Sequence, residues 1–347
     1  MRGSALLAGM IVSTASAQAV DPVVLYGRVY VLVESVAASG GADPAAPRGR
    51  VSNQASMVGV RAVEGIAPGL EAWFQLETIF PPDSAATTFA NRNSAVGLRG
   101  SFGTLLAGRW DSTFEQSQVG IVDPFTDQGL PDITAAAVNQ GNFARRQQNV
   151  VQYWSPAWLG LQAKIGYAAN EARTAVANPY DYGASIAYRD ENAYLALAYE
   201  RHVDQAGPIA ASGIDEAGYG VAGYYRLDCF RFTGQAGSYR RSGAVTQRSF
   251  ALGVEWNPGA PACAPIAFIA VYQRSRGGAA NHALAQPACT VWGAGVRHAL
   301  SPRTFLIAEY ARVANREGDL CNFGSNPLAI EERQTLRGWG VGIRTLF

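Results

Sequence analysis

Val23–Val36 reads VVLYGRVYVLVESV. Leu25, Val29, Val31 and Val33 fall on one parity; Tyr26, Arg28, Tyr30 and Glu34 fall on the other. A period of two is the mark of a β-strand with one apolar and one polar side. The same alternation recurs outward from this stretch to the end of the chain. SMVGVRA, LEAWFQLETIF, NSAVGLRGS and TLLAGRWD follow in the first third. NVVQYWS, LQAKIGYAAN, YGASIAYRD and AYLALAYERHV continue it. The later runs are EAGYGVAGYYRLD, CFRFTGQAGSYRR, QRSFALGVEW, PIAFIAVYQRS, CTVWGAGVRHA, TFLIAEYARVA and TLRGWGVGIRTLF. The Gly/Pro/Ala-rich Gly40 to Arg50 reads as a loop, and short turns alternate with longer loops. The count is about sixteen strands, an even number. No segment sustains a helical period and no linker divides the chain, so a single domain over 20–347 is expected.

A soluble sandwich alternates in the same way, and three features favour a membrane wall. The strands run about 9 to 13 residues, enough for a tilted crossing of the hydrocarbon layer. Tyr153, Tyr167, Tyr188, Tyr199, Trp256 and Tyr310 stand near strand ends on the apolar parity, as interfacial girdles require. Arg28, Arg61, Glu77, Arg99, Arg109 and Glu309 lie within strands on the polar parity. A dry core could not hold so many charges, whereas a water-filled lumen can. The fold expected is all-β, a transmembrane antiparallel β-barrel of 16 strands. Wall glycines (Gly27, Gly97, Gly108, Gly223, Gly253) suit tight curvature and close strand contact.

Composition agrees. The chain has 347 residues and a net charge of +1, which gives no bulk attraction to nucleic acid. Lys164 is the only lysine. Mean hydropathy is −0.01, and past the N-terminus no apolar run reaches the roughly 18 residues of a membrane helix. Alternating strands average to such neutral hydropathy. Residues 1–19 read as a secretory signal: Arg2, an apolar Ala5–Val12, then small residues allowing cleavage after Ala17 or Ala19. Export implies an oxidising compartment.

The last strand ends on Phe347, and counting back by twos gives Thr345, Ile343, Val341 and Trp339. This terminus, together with LYGRV, VGVRAVEGIAPGLEAWFQLE, NRNSAVGLRGSFGTLLAGRWDSTFEQ and a DPF segment, resembles the general porins of the Gram-negative outer membrane. The likeness spans essentially the whole mature chain, most specifically its first half. It implies a homotrimer of sixteen-stranded barrels in the outer-membrane bilayer, each with a diffusion channel for ions and small hydrophilic solutes. It also implies that Phe347 is an assembly signal read by the barrel-assembly machinery.

One long stretch breaks the alternation. Ser112–Gln147 reads STFEQSQVGIVDPFTDQGLPDITAAAVNQGNFARRQ. A loop this long in a compact protein is usually functional. The resemblance implies that this third external loop folds into the lumen and sets acids against basic wall residues. The wall candidates are Arg28, Arg61, Arg109 and Arg146, with Arg99 on the same parity. The loop candidates are Asp123 and Asp127, then Glu115 and Asp132. Many relatives carry arginine where this chain has Met57, which thins the basic ladder. Opposed rows of fixed charge across a narrow aqueous gap order polar solutes and select between ions.

Four cysteines, Cys229, Cys263, Cys289 and Cys321, show no metal or redox spacing. With the N-terminus on the periplasmic side, the strand phase puts 229 and 263 at one rim and 289 and 321 at the other. The expected bridges are therefore 229–263 and 289–321. His202, His282 and His298 stand beside no nucleophile, and no hydrolase, metal or phosphate-cradling motif is present. No cofactor is expected. A barrel enzyme and a secreted β-rich adhesin or lectin are the alternative readings.

Overall fold

The computed structural model describes residues 23–42, 44–84, 88–125, 128–132, 143–206, 209–243, 246–258, 265–277 and 289–347. Residues 1–19, Asp127, Cys263 and His282, named above, lie outside them. The strands are β1 (Val24–Ser39), β2 (Arg48–Asn53), β3 (Met57–Ala67), β4 (Leu70–Ile79), β5 (Ser94–Gly100) and β6 (Gly103–Asp111). A six-residue helix, α1 (Thr113–Gln118), follows. Then come β7 (Arg146–Trp154), β8 (Leu161–Ala169), β9 (Tyr180–Arg189) and β10 (Ala193–Val203). A small hairpin, β11 (Gln205–Ala206) and β12 (Ile209–Ala210), stands apart. The wall resumes with β13 (Glu216–Leu227), β14 (Phe230–Arg241), β15 (Gln247–Trp256), β16 (Ile266–Arg276), β17 (Thr290–Ala299), β18 (Thr304–Ala314) and β19 (Thr335–Leu346).

Each wall strand pairs antiparallel with its sequence neighbours, and β19 pairs back onto β1 from Arg28↔Leu346 to Ser39↔Thr335. The sheet is thus closed. β2 and β3 both pair with β1, separated only by Gln54–Ser56, and act as one interrupted wall strand. Counted so, the barrel has 16 strands. The sequence reading of Gly40–Arg50 as loop is corrected at its end, since Arg48–Arg50 already pair with β1 at Glu34–Val36.

Burial follows the pleat with the chemistry inverted relative to a soluble protein. On β15, Gln247, Ser249, Ala251 and Glu255 are buried, whereas Phe250, Leu252 and Trp256 are exposed. The polar side faces the interior and the apolar side faces out, the arrangement of a wall solvated by lipid. Outward aromatics meet in tilted pairs along the outside, Tyr199 with Tyr219 at 4.9 Å and Tyr272 with Trp292 at 4.3 Å. The packed core lies inside the barrel, between the wall and the loops. Phe125, Leu130, Phe323 and Leu328 pack there with Ile269, Val291, Val313 and Leu336. Cys289 and Cys321 are joined, with Cα atoms 6.2 Å apart, as the strand phase predicts. The 229–263 pair cannot be placed because Cys263 is outside the described residues.

Candidate functional site

The sequence gives the interior its contents through the loop after β6. Ser112 caps α1, its Oγ accepting from Glu115 N at 3.1 Å. The Ser112-x-x-Glu115 spacing is a helix-start signal that the alternation reading passes over. α1 packs on the inward side of β8–β10 and β13. Phe114 is fully buried against Phe143 and Tyr239. Tyr194 on β10 donates its OH to Ser117 O at 3.0 Å.

The chain then runs along the inner wall toward β17 and β19. Arg231 on β14 donates to Ile121 O, and Arg297 on β17 donates to Pro124 O at 3.2 Å. Asp123 accepts from Phe125 N at 2.9 Å, which closes the DPF turn. Further on, Gly129 N donates to Gln54 Oε1 at 3.2 Å and Leu130 N to Glu309 Oε1 at 2.6 Å. Wall glycines give the loop its bed. A Cβ on Gly220 would come within 2.7 Å of Phe114, on Gly253 within 2.6 Å of Pro124, and on Gly295 within 2.6 Å of Phe125. The loop returns at Phe143, which stacks on His202 at 4.5 Å. His202 is buried between Glu200 and Glu216, and Arg241 pairs with Glu216 in turn. Arg145 pairs with Asp181 beside them.

The residues expected to form the constriction are dispersed. Arg28 Nε donates to Ala55 O at 3.1 Å, and Arg61 lies over the Tyr26 ring at 5.1 Å. Both face inward beside Glu77, which accepts from Tyr26 OH. Arg99 is exposed next to the Gly100–Gly103 turn and pairs with Glu71 at 2.6 Å, at the far end of β5 from the loop. Arg109 falls on the outward parity with the exposed Leu105 and Ala107, because Leu106 and Trp110 occupy the inward positions. Its Nε donates to Asn91 O. Arg146 pairs with Asp111 at 2.8 Å at the loop's root. On the loop, Asp123 is 0% and Asp132 6% exposed. Asp123 is tied into the DPF turn, and Asp132 lies against Gly324. Glu115 is half-buried in the first turn of α1.

The interior holds other cations that motif matching does not reach. Lys164 (β8), Arg189 (β9), Arg226 (β13), Arg231 (β14), Arg297 (β17) and Arg344 (β19) all fall on the inward parity. Several are arranged with aromatic rings. Arg189 lies over Tyr194, Arg226 and Arg231 over Tyr224, and Tyr194 stacks on Tyr224 at 5.7 Å. Lys164 lies 4.4 Å over Trp154 and donates to Gln116 Oε1. Glu255 pairs with both Arg231 and Arg297. These positions could have been found by taking parity from the exposed aromatics of each strand.

A closed antiparallel barrel, polar inside and apolar outside and occupied by an inward loop, is the architecture of a diffusion channel. A family model described as Gram-negative porin matches residues 3–318. The chain belongs to the Gram-negative porin family. The porin is 25% identical to outer membrane porin protein 32 of Delftia acidovorans over 364 residues, covering 100% of both chains. It is 28% identical to the major outer membrane protein P.IB of Neisseria meningitidis serogroup B over 191 residues, 53% of this chain and 56% of that one. Among solved structures it is similar to the anion-selective porin from Comamonas acidovorans, with a TM-score of 0.78 at 23% identity, covering 94% of this chain and 100% of that one. The Salmonella typhi OmpF structure matches at a TM-score of 0.69 and 14% identity, over 94% and 98%. The porin is an outer-membrane β-barrel for passive passage of ions and small hydrophilic solutes, a channel rather than an enzyme.

Proposed function

We propose that the channel prefers anions, and that the preference comes from the inward cations rather than from a face-off between loop acids and Arg109. The observation that supports this is an imbalance of exposure. Asp123 and Asp132 on the loop are buried, while Arg61, Arg189 and Arg226 on the inward parity of the wall are exposed. Fixed charge of one sign along a narrow passage raises the local concentration of the opposite ion. Arginine keeps its charge at any working pH. The solved relative named an anion-selective porin fits the same reading.

The test is the reversal potential of single porins in a planar bilayer under a KCl gradient. Wild type should be anion-selective, and Arg61→Ala and Arg226→Ala should each move the potential toward cations. Arg99→Ala, whose charge is paired with Glu71, and Arg109→Ala, on the outward parity, should leave it unchanged. A cation-selective wild type, or a shift confined to Arg109→Ala, would reject the proposal.

The working unit we infer is a homotrimer joined through the first strands, whose outward face (Leu25, Val33, Val51, Val96, Leu98) is aliphatic and exposed. A heat-sensitive oligomer in detergent gels tests it. Residues 1–19 are proposed as a cleaved export signal, checked by N-terminal sequencing of the membrane-extracted protein. No catalytic activity is proposed.

A further inference from the structure

Trp154, Tyr194 and Tyr224 stand near the short turns, at the end of β7, the start of β10 and the end of β13. All three fall on the inward parity, turned away from the lipid-facing girdle. A ring on the water side serves no lipid boundary, and each of these rings carries a cation. Lys164 lies 4.4 Å over Trp154 and Arg189 5.0 Å over Tyr194. Arg226 and Arg231 lie 4.7 and 4.8 Å over Tyr224.

Register joins four of these residues into one row. Arg189 lies directly opposite Tyr194, and Tyr194 directly opposite Tyr224. The two rings stack at 5.7 Å. Arg226 follows on β13, nearer the turn, directly opposite Arg231 on β14. Neighbouring strands are about 4.8 Å apart, so the row spans about 10 Å across β9, β10 and β13. The inward loop holds it in place: Tyr194 OH donates to Ser117 O at 3.0 Å, and Arg231 donates to Ile121 O. A row held in this way has little ordering left to lose when a ligand binds.

Charge along the row is one-sided. Arg231 shares Glu255 with Arg297. Arg189 and Arg226 are exposed and pair with no acid among the described residues; Arg226 donates to Glu191 O at 3.1 Å. Like charges directly across an antiparallel pair destabilise the sheet, so Arg226 facing Arg231 calls for an anion from the passage. Chloride would meet that need and leave the rings unused. Guanidinium groups stack on aromatic faces. Tyr224 occupies one side of Arg226, and the exposed side is left for a ring that the solute brings.

We propose, building on the anion preference above, that Arg189, Tyr194, Tyr224 and Arg226 form a binding subsite for aromatic carboxylates. The solute's ring lies over the Arg226 guanidinium and lengthens the Tyr194–Tyr224 stack, and its carboxylate accepts from the Arg189 fork. An aliphatic acid of the same charge finds the cations but gains nothing from the stack.

The test uses the full-length porin in a planar bilayer in KCl. Sodium benzoate and sodium cyclohexanecarboxylate, equal in charge and close in size, are titrated against the chloride current. Benzoate should halve the current at a concentration about three- to tenfold lower than cyclohexanecarboxylate. Tyr224→Leu should bring the two concentrations together, and Tyr224→Phe, which keeps the ring, should keep them apart. Arg226→Gln should raise the benzoate concentration by about three- to tenfold, while Arg240→Gln, on the outward parity of β14, should not. Equal concentrations for the two acids in an anion-selective wild type would overturn the subsite and leave the anion preference standing. A cation-selective wild type would reject the preference and the subsite with it. A benzoate advantage that survives Tyr224→Leu would place the ring contact elsewhere and overturn the proposal. If Tyr224→Leu fails to insert, Arg226→Gln decides, and an unchanged benzoate concentration there rejects the subsite.

Discussion

At Gly253 a missing side chain decides where the loop can lie. Any Cβ there would meet Pro124 at 2.6 Å and Thr233 Oγ1 at 2.6 Å. The sequence suggests curvature as the reason for wall glycines. For Gly220, Gly253 and Gly295 the structure adds a second reason, since each accepts a loop ring or proline on its inward side. Gly253→Val should therefore lift the DPF turn, at an overpacking cost of about 1–3 kcal/mol, and change single-channel conductance. Gly234→Ala is the control, since its nearest neighbour is Leu252 Cδ2 at 3.7 Å on the outer surface. Conductance traces of the two variants, compared with their heat-induced unfolding in detergent, check this. Equal conductance in both would mean that the turn does not limit the passage. Residue-level chemistry was only partly legible in the chain. Charge served as the marker of the lumen side, and it fails at Arg109, because near the long-loop rim an outward arginine is tolerated at headgroup depth. It fails for Asp123 in another way: an acid in a loop reads as solvated, yet this one is spent on Phe125 N and interacts with Arg231.

At the scale of elements, alternation located nearly every wall strand because the pleat forces period two wherever one face meets lipid. It could not find α1, whose six residues are too few to show a helical period, nor β2, whose Arg48 looks like loop. The strand phase did carry the Cys289–Cys321 pairing, because a bridge must join residues at the same rim. Cys289 immediately precedes β17, and Cys321 lies in the loop between β18 and β19. That loop leans on the inward one: Ser325 donates to Gln128 at 3.3 Å, and Gly338 sits beneath both Leu130 and Phe323. The bridge closes a separation of 32 residues, and disulfides of this kind stabilise by about 2–4 kcal/mol. A Cys289→Ser/Cys321→Ser variant should keep its barrel, seen as unchanged far-ultraviolet circular dichroism. Its 315–334 loop should be cut faster by protease, and its current should become noisier as Leu130 loses support. If proteolysis and current noise both match wild type, the loop is held by packing alone.

At the scale of the whole molecule, closure is the property that makes a pore possible, and it is completed by the last residue. Phe347 N donates to Gly27 O at 3.1 Å and Gly27 N donates to Phe347 O at 3.0 Å, so the chain end is itself a rung of the β1–β19 seam. The Phe347 ring fills the space beside Gly27, where a Cβ would lie 2.5 Å from Cζ. One residue thus has two separable roles, a seam contact and the proposed signal to the assembly machinery. Deleting Phe347 removes two hydrogen bonds that extend the twelve-pair register of that seam, a loss of about 1–3 kcal/mol that a closed barrel of this size should survive. Refolding of the truncated porin from urea into detergent micelles should therefore still yield a heat-modifiable barrel. On the proposed signal reading, its outer-membrane level in cells should fall sharply. Phe347→Tyr, which keeps the ring, should restore it. If refolding in micelles fails as completely as assembly in cells, the seam alone explains the terminal residue and the signal reading is rejected.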